Sequence, residues 1–227
     1  MTQRQTRIFE LILVISIAFL PSIVYSFYLI LTGTTDPQGT EGLIPRYLNG
    51  IMHAILSIVL MFYVINKQDK TISDIGLSFK FKWSDLWHAI GLIFLAGILR
   101  VLIAGPISAI FPDFLQIAEN PKNTGFIDTN YMPFLVLYMI FIPLQEELIV
   151  RGFTMKSVFD LTESKTLAVL ISVLVQFSYH LYQGLIPALM LLPFFIVLAI
   201  YFIRYGNLKP VILAHILTDL IFLLYKQ

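Results

Sequence analysis

Apolar residues run through this chain in long blocks separated by short polar turns. The blocks show neither the strict alternation of a half-buried strand nor the single apolar stripe of a soluble helix. A helix needs about 20 apolar residues to cross a bilayer. Seven blocks meet or approach that length, at roughly 8–32, 48–66, 84–110, 132–160, 165–183, 185–204 and 208–225. The fourth is long, and Pro143 within it predicts a kink, because proline has no N–H to give the preceding turn. The intervening segments read as loops: 33–46 is rich in Gly, Thr and Pro, 112–131 is polar, and 67–83 is the most basic. Within that basic loop, Leu77 to Trp83 alternates apolar and polar residues, which predicts a short strand or an interfacial segment with Trp83 and Trp87 at headgroup level. Arg4 and Arg7 precede an apolar run too long for a signal-peptide core and without a small-residue cleavage site, so the first block is read as an uncleaved span. No repeat or second domain is apparent. The expected fold is all-α, a polytopic membrane bundle of about seven to eight transmembrane helices. Residues 1–227 form a single integral-membrane domain, with a motif-bearing core at about 132–225.

Composition sharpens this reading. The chain is 58% hydrophobic and 13% charged, with a mean hydropathy of +0.83, against about 25% charged residues in typical soluble domains. A net charge of +1 argues against a nucleic-acid surface, so none is expected as a partner. Cysteine is absent, which removes disulfides, thiolate metal sites and cysteine nucleophiles together. Lys and Arg set the expected orientation. With the N-terminus inside, cytoplasmic segments hold Arg4, Arg7, the four lysines of 67–82, Lys165, Arg204 and Lys209, whereas the outer segments hold Arg46, Lys122 and Lys226.

Against this background a few ionisable residues stand out. A charged group inside a membrane costs about 2.5–3.5 kcal/mol at a helix centre on insertion scales, so its presence points to function. In Glu146-Glu147-Leu148-Ile149-Val150-Arg151, Glu147 and Arg151 are four apart and share a helical face, acid first. Glu146 points about 100° away from its neighbour. Arg151 is expected to neutralise and fix Glu147, leaving Glu146 to act on water; a bare helix-end ion pair is the plainer reading. His180 closes the fifth block, where a hydrogen-bonded interfacial histidine is the plainer reading. His215 and Asp219 are also four apart, on one face of the last block. They suit metal binding, or Asp219 orients His215 from behind.

Rise per residue tests whether these elements can meet. Measured from the turn at 161–164, Glu146 and His180 both lie roughly 22–25 Å away and are level, whereas His215 is only about 10 Å past the turn at Gly206-Asn207. The mismatch disappears only if spans tilt or the last one starts deeper.

Taken in order, these motifs resemble the CAAX-protease and bacteriocin-processing family of intramembrane proteases, also called the Abi family. Its Glu-Glu-x-x-x-Arg motif is matched by Glu146, Glu147 and Arg151, and its final His-x-x-x-Asn/Asp motif by His215 and Asp219. The middle Phe-x-x-x-His motif departs: Gln176 stands four residues before His180, and the phenylalanine is displaced to 177. Asp74-Ile75-Gly76-Leu77 is similar to an upstream signature of bacterial members. The resemblance implies a helical membrane endopeptidase acting on a membrane-associated, prenylated or signal-type peptide. Glu146 would activate water, and His180, His215 and Asp219 would hold a divalent metal, zinc by ligand chemistry; the family has also been argued to work without a tightly held metal. Catalysis is thereby assigned to Glu146, Glu147, Arg151, His180, His215 and Asp219, with the lipid bilayer and a membrane peptide or protein as partners and a prokaryotic cell membrane as location. Cytoplasmic access to the site also follows from the resemblance, although the depth count puts His180 near the outer end.

Two other functions fit part of the pattern. Intramembrane Glu, His and Asp also mark ion pathways, but no inverted repeat or matched pair of broken helices supports a proton-coupled transporter. A non-catalytic immunity or peptide-binding protein would have little reason to keep three costly polar groups. Elsewhere, His53 and His88 are expected to be interfacial, and Tyr179 and Tyr182 either line the site or sit in an aromatic belt. Arg100, well inside the third block, is expected to snorkel or to pair with Asp219 or Glu147.

Overall fold

The computed structural model describes residues 2–33, 43–80, 82–114 and 131–225, and these are helical apart from short connections. The helices are α1 (Gln3–Thr32), α2 (Leu43–Lys67), α3 (Trp83–Ile110), α4 (Met132–Glu146), α5 (Lys156–Thr162), α6 (Lys165–His180), α7 (Leu185–Tyr205) and α8 (Lys209–Tyr225). A π-helical segment, Glu147–Met155, joins α4 to α5 in one continuous rod, and a 3-10 turn, Leu181–Gln183, follows α6. Six of the described rods are long and apolar enough to cross a membrane; α8, at 17 residues, is the seventh and shortest. The expected helical membrane bundle is therefore what forms, with each expected block inside one rod except for Leu208, which precedes α8.

Local sequence explains the ends. Thr2 caps α1 in a reciprocal box with Gln5, Ser164 caps α6 through Leu167 N, and α1 and α7 stop at Gly33 and Gly206 in left-handed conformation. Side chains such as Leu31, Phe94, Val101 and Leu102 point outward from α1 and α3, as lipid-facing surfaces require. The rod α4–π–α5 is the opposite: every residue of Glu147–Met155 is buried, so this segment is the axle of the bundle. The change of winding follows Pro143, whose ring denies the helix one backbone bond.

The expected strand at Leu77–Trp83 is not found among the described residues. The backbone there bonds to another part of the chain instead: Gly76 O accepts from Leu208 N at 2.9 Å. Gly76 sits at φ +83°, and a Cβ there would stand 2.5 Å from Gly206 O. Gly152, in the π segment, lies under the same junction against Leu208 and Ile75. The Asp74-Ile75-Gly76-Leu77 loop thus clamps the α7–α8 turn onto the axle. Bonds to the Asp74 carboxylate from the Thr71 backbone N–H and then its hydroxyl hold the loop and keep the Asp74 carboxyl below its ordinary range. Gly76→Ala is expected to destabilise the fold by about 1–3 kcal/mol, the usual size of backbone strain. A thermal melt in detergent checks this, and an unchanged midpoint would contradict the clamp. Trp83 and Trp87 are strongly exposed, as an interfacial position requires.

The clamp also explains how the last motif reaches the others. Gly152 lies ten residues before the end of α5, so the α7–α8 turn starts about 15 Å deeper than the α5–α6 turn. That offset supplies the depth His215 needs to come level with Glu146.

Candidate active site

Five stretches of helix converge on one cavity of about 330 Å³. Its wall includes Glu146 from α4, Tyr179 and His180 from α6, and His215 and Asp219 from α8. Glu147 and Arg151 do not line it; both are fully buried behind the wall. All six residues singled out in the sequence therefore meet, but in two layers.

The rear layer is a chain of charge-assisted bonds. Arg151 Nη1 donates to Glu147 Oε1 at 3.2 Å, and its Nη2 donates to Phe195 O at 3.2 Å. His215 Nδ1 lies 2.7 Å from the same Glu147 oxygen. With a proton on Nδ1, His215 donates to Glu147 and presents Nε2 to the cavity. The group orienting His215 is thus Glu147, whereas the sequence offered Asp219 as one possibility. Asp219 Oδ1 stands on the cavity side, 4.0 Å from Nε2. The Phe194 ring meets His215 edge-on and fixes its plane.

In the front layer, Glu146 is almost wholly buried, with one carboxylate oxygen 3.9 Å from His215 Nε2. The same oxygen accepts from Gln176 Nε2 at 3.3 Å. Gln176 is the position where the middle motif departs, and it is fully buried. A phenylalanine there could give Glu146 no hydrogen bond, so the departure itself bears on the site. Gln176 O also receives the His180 Nδ1 proton at 2.9 Å, which leaves His180 Nε2 as an acceptor. The Phe195 and Tyr179 rings flank His180, at 4.9 and 4.8 Å between centroids.

The proposed metal ligands do not form a three-ligand group. Among the described residues no three His, Cys, Asp or Glu side chains are placed to hold one ion. His215 Nε2 and Asp219 Oδ1, 4.0 Å apart, exceed the separation of roughly 3.3 Å that two tetrahedral zinc ligands at about 2.0–2.1 Å would have. The residues as placed do not fit zinc, and no step below passes through a metal.

The segment 128–221 matches the family model described as Rce1-like, Type II CAAX prenyl endopeptidase Rce1-like. Over that segment the chain is similar to the CAAX prenyl endopeptidases. The match begins just before α4, ends within α8 and includes all six candidate residues. No curated protein and no solved structure shows a significant match. The apolar helices, together with this similarity, support a multi-pass integral membrane protein.

The cavity also takes residues beyond these six. His53 lines it, bonded to Ala18 O at 3.1 Å, and so is not merely interfacial. Arg46 and Tyr138 also line it, and the Tyr138 ring rests on Gly50, where a Cβ would lie 2.5 Å from the ring. Tyr179 and Tyr182 belong to the cavity wall. His88 is exposed beside Tyr201. Arg100 is half-buried on α3 and pairs with neither Glu147 nor Asp219.

Proposed function

We propose that the chain is an intramembrane endopeptidase that hydrolyses a peptide bond in a membrane-held peptide, of prenylated-tail or signal type. The observation that carries this is the pairing of Glu146, on the cavity wall, with His215, which is aimed into the cavity by the buried Glu147–Arg151 pair. A water resting between Glu146 and His215 Nε2 touches a base and a potential donor at once. Glu146 takes a proton as the water oxygen attacks the scissile carbonyl carbon. His215, protonated on both ring nitrogens, donates from Nε2 to the developing oxyanion, and the Glu147 carboxylate on Nδ1 stabilises the imidazolium. Collapse of the tetrahedral intermediate breaks the C–N bond, and Glu146 returns its proton to the leaving nitrogen. The products are one new carboxylate and one new amine. Gln176 fixes the Glu146 carboxylate, His180 Nε2 is free to accept from the substrate backbone, and Arg151 acts only through Glu147.

Cleavage of a fluorogenic membrane-peptide reporter by purified protein tests this reading. His215→Ala is expected to lower the rate by about 10²–10⁴-fold, the range for loss of an acid–base group, while the protein still elutes as a folded species. An unchanged rate would remove His215 from the chemistry. Metal content of the wild type beside the His180→Ala, His215→Ala double variant decides the zinc question separately. About one zinc per chain, lost in the double variant, would require His180 and Asp219 to close onto the ion held by His215.

A further inference from the structure

A second pocket lies further along the axle, beside Phe153 to Asp160, about 10–20 Å past Glu146 by helical rise. It shares no lining residue with the catalytic cavity and has a volume of about 250 Å³. One water takes about 30 Å³, so a molecule of head-group size fits. The end of α2, the 68–75 loop and a stripe of the axle enclose it. The stripe is Phe153, Lys156, Ser157 and Asp160, whose spacings of three and four place them on one helical face.

The floor is apolar, formed by the buried side chains of Ile65, Ile75 and Phe153. Most polar groups above it are already engaged. Lys70 Nζ pairs with Asp160 at 2.6 Å, and Asp74 Oδ2 accepts from the N–H and the hydroxyl of Thr71. Gln68 Nε2 donates to Glu10 at 2.8 Å. Among the described residues three lining groups have no side-chain partner: the Lys156 ammonium, the Ser157 hydroxyl and the Asp69 carboxylate. Ser157 decides the matter, because it is only 8% exposed, and buried polar groups are ordinarily hydrogen-bonded. Thr162, further along the same helix, gives its hydroxyl proton to Val158 O at 2.7 Å. Ser157 keeps its own for the pocket. Asp69 is also placed at a cost: its φ of +56° is uncommon for any residue but glycine. It follows the end of α2 at Lys67, where the helix dipole disfavours an acid.

These groups do not make a cation site, since among the described residues no three acids or histidines are placed around one ion. What would complete them is one anion for Lys156 and Ser157 and one ammonium for Asp69. The pocket also lies at head-group depth. Ser157 is five residues before the end of α5, about 7 Å along its axis, and the polar layer of a bilayer is roughly 5–7 Å thick on each side. The loop over the pocket leads to Trp83 and Trp87, both exposed as interfacial tryptophans are.

We propose that this pocket binds a phosphoethanolamine group, the head of an amine-bearing phospholipid, with its phosphoryl oxygens on Lys156 and Ser157 and its ammonium on Asp69. The site is separate from the catalytic cavity and does not depend on the hydrolytic reading. A choline head offers Asp69 no N–H, and a glycerol head offers it no positive charge, so both bind more weakly.

Thermal melts of the purified protein in detergent test this, with short-chain phosphatidylethanolamine, phosphatidylcholine or phosphatidylglycerol added. A ligand that binds only the folded state raises the midpoint as its concentration rises. The ethanolamine lipid is expected to act at concentrations at least about tenfold below the other two, the size of one charged hydrogen bond. Lys156→Gln and Asp69→Asn are each expected to raise its half-effect concentration by at least about tenfold. Neither residue has a partner to lose and asparagine tolerates the left-handed backbone, so both variants should melt like the wild type without lipid. Soluble phosphoethanolamine is the second arm: if it works as well as the lipid, the same contacts serve a free phosphomonoester, and if only the lipid works, the occupant comes from the membrane. Equal effects of the three lipids, or an ethanolamine effect unchanged in either variant, would overturn the proposal.

Discussion

Glu146→Gln is expected nearly to abolish peptide hydrolysis while leaving the protein folded and its cavity intact. Glutamine has the shape of glutamate and still offers an oxygen to the Gln176 amide, 3.3 Å away in the native site. It cannot take a proton from water. Loss of a general base costs about 10²–10⁴-fold, and the effect should lie at the upper end because Glu146 also returns the proton to the leaving nitrogen. Glu147 is not placed to substitute, being fully buried and engaged by Arg151 and His215, whereas Asp219, on the cavity wall 4.0 Å from Nε2, is near enough to support a residual rate. The same substitution separates a peptidase from a peptide-binding protein. A binder should retain its peptide with little change in affinity, whereas a peptidase should hold it uncleaved. Rates on a membrane-peptide reporter, measured beside thermal melts, check both halves of the expectation.

Arg151→Leu is expected to have the largest effect on stability. Glu147 and Arg151 are both 0% exposed, in a segment with no access to water. Breaking a buried pair by removing one partner costs about 3–5 kcal/mol, because the remaining charge is stranded in low dielectric. Glu147 would keep only His215 as a partner, and Phe195 O would lose its guanidinium donor. Removing both charges strands neither, so Glu147→Leu with Arg151→Leu should melt higher than Arg151→Leu alone. It should nevertheless be inactive, since His215 loses the acceptor that holds its Nδ1 proton. Thermal unfolding of the two variants in one detergent measures the difference. A single variant as stable as the wild type would mean that the pair does not carry this charge.

The spans, and the six ionisable residues that come together at the cavity, stand out in the sequence because the bilayer penalises what it should exclude. A carboxylate or an imidazole in an apolar block is conspicuous, and spacing of four places two of them on one face. The two-layer arrangement was partly legible: Glu147–Arg151 as support and Glu146 as the free acid follow from helical geometry. What hydropathy could not supply was depth. His215 seemed too shallow because a turn between two apolar helices is ordinarily placed at the membrane surface. Here Gly76, Gly152 and Leu208 draw the α7–α8 turn inward, a close approach that no local pattern announces. Gln176 was noticed as a departure from a motif, but its amide reaches Glu146 from a neighbouring helix, a contact no local pattern encodes. The π winding of Glu147–Met155 leaves no mark in composition beyond Pro143 before it. His53 looked interfacial from its position near a span end, yet α2 turns it toward Ala18 and the cavity.

The most direct test of the central claim is the fate of water oxygen. A membrane-peptide reporter is incubated with the purified protein in heavy-oxygen water, and the fragments are weighed by mass spectrometry. The account predicts heavy oxygen in the new C-terminal carboxyl of one fragment with the wild type, and almost no fragments with Glu146→Gln. Equal cleavage and labelling by Glu146→Gln, or an uncleaved peptide with the folded wild type, would contradict it.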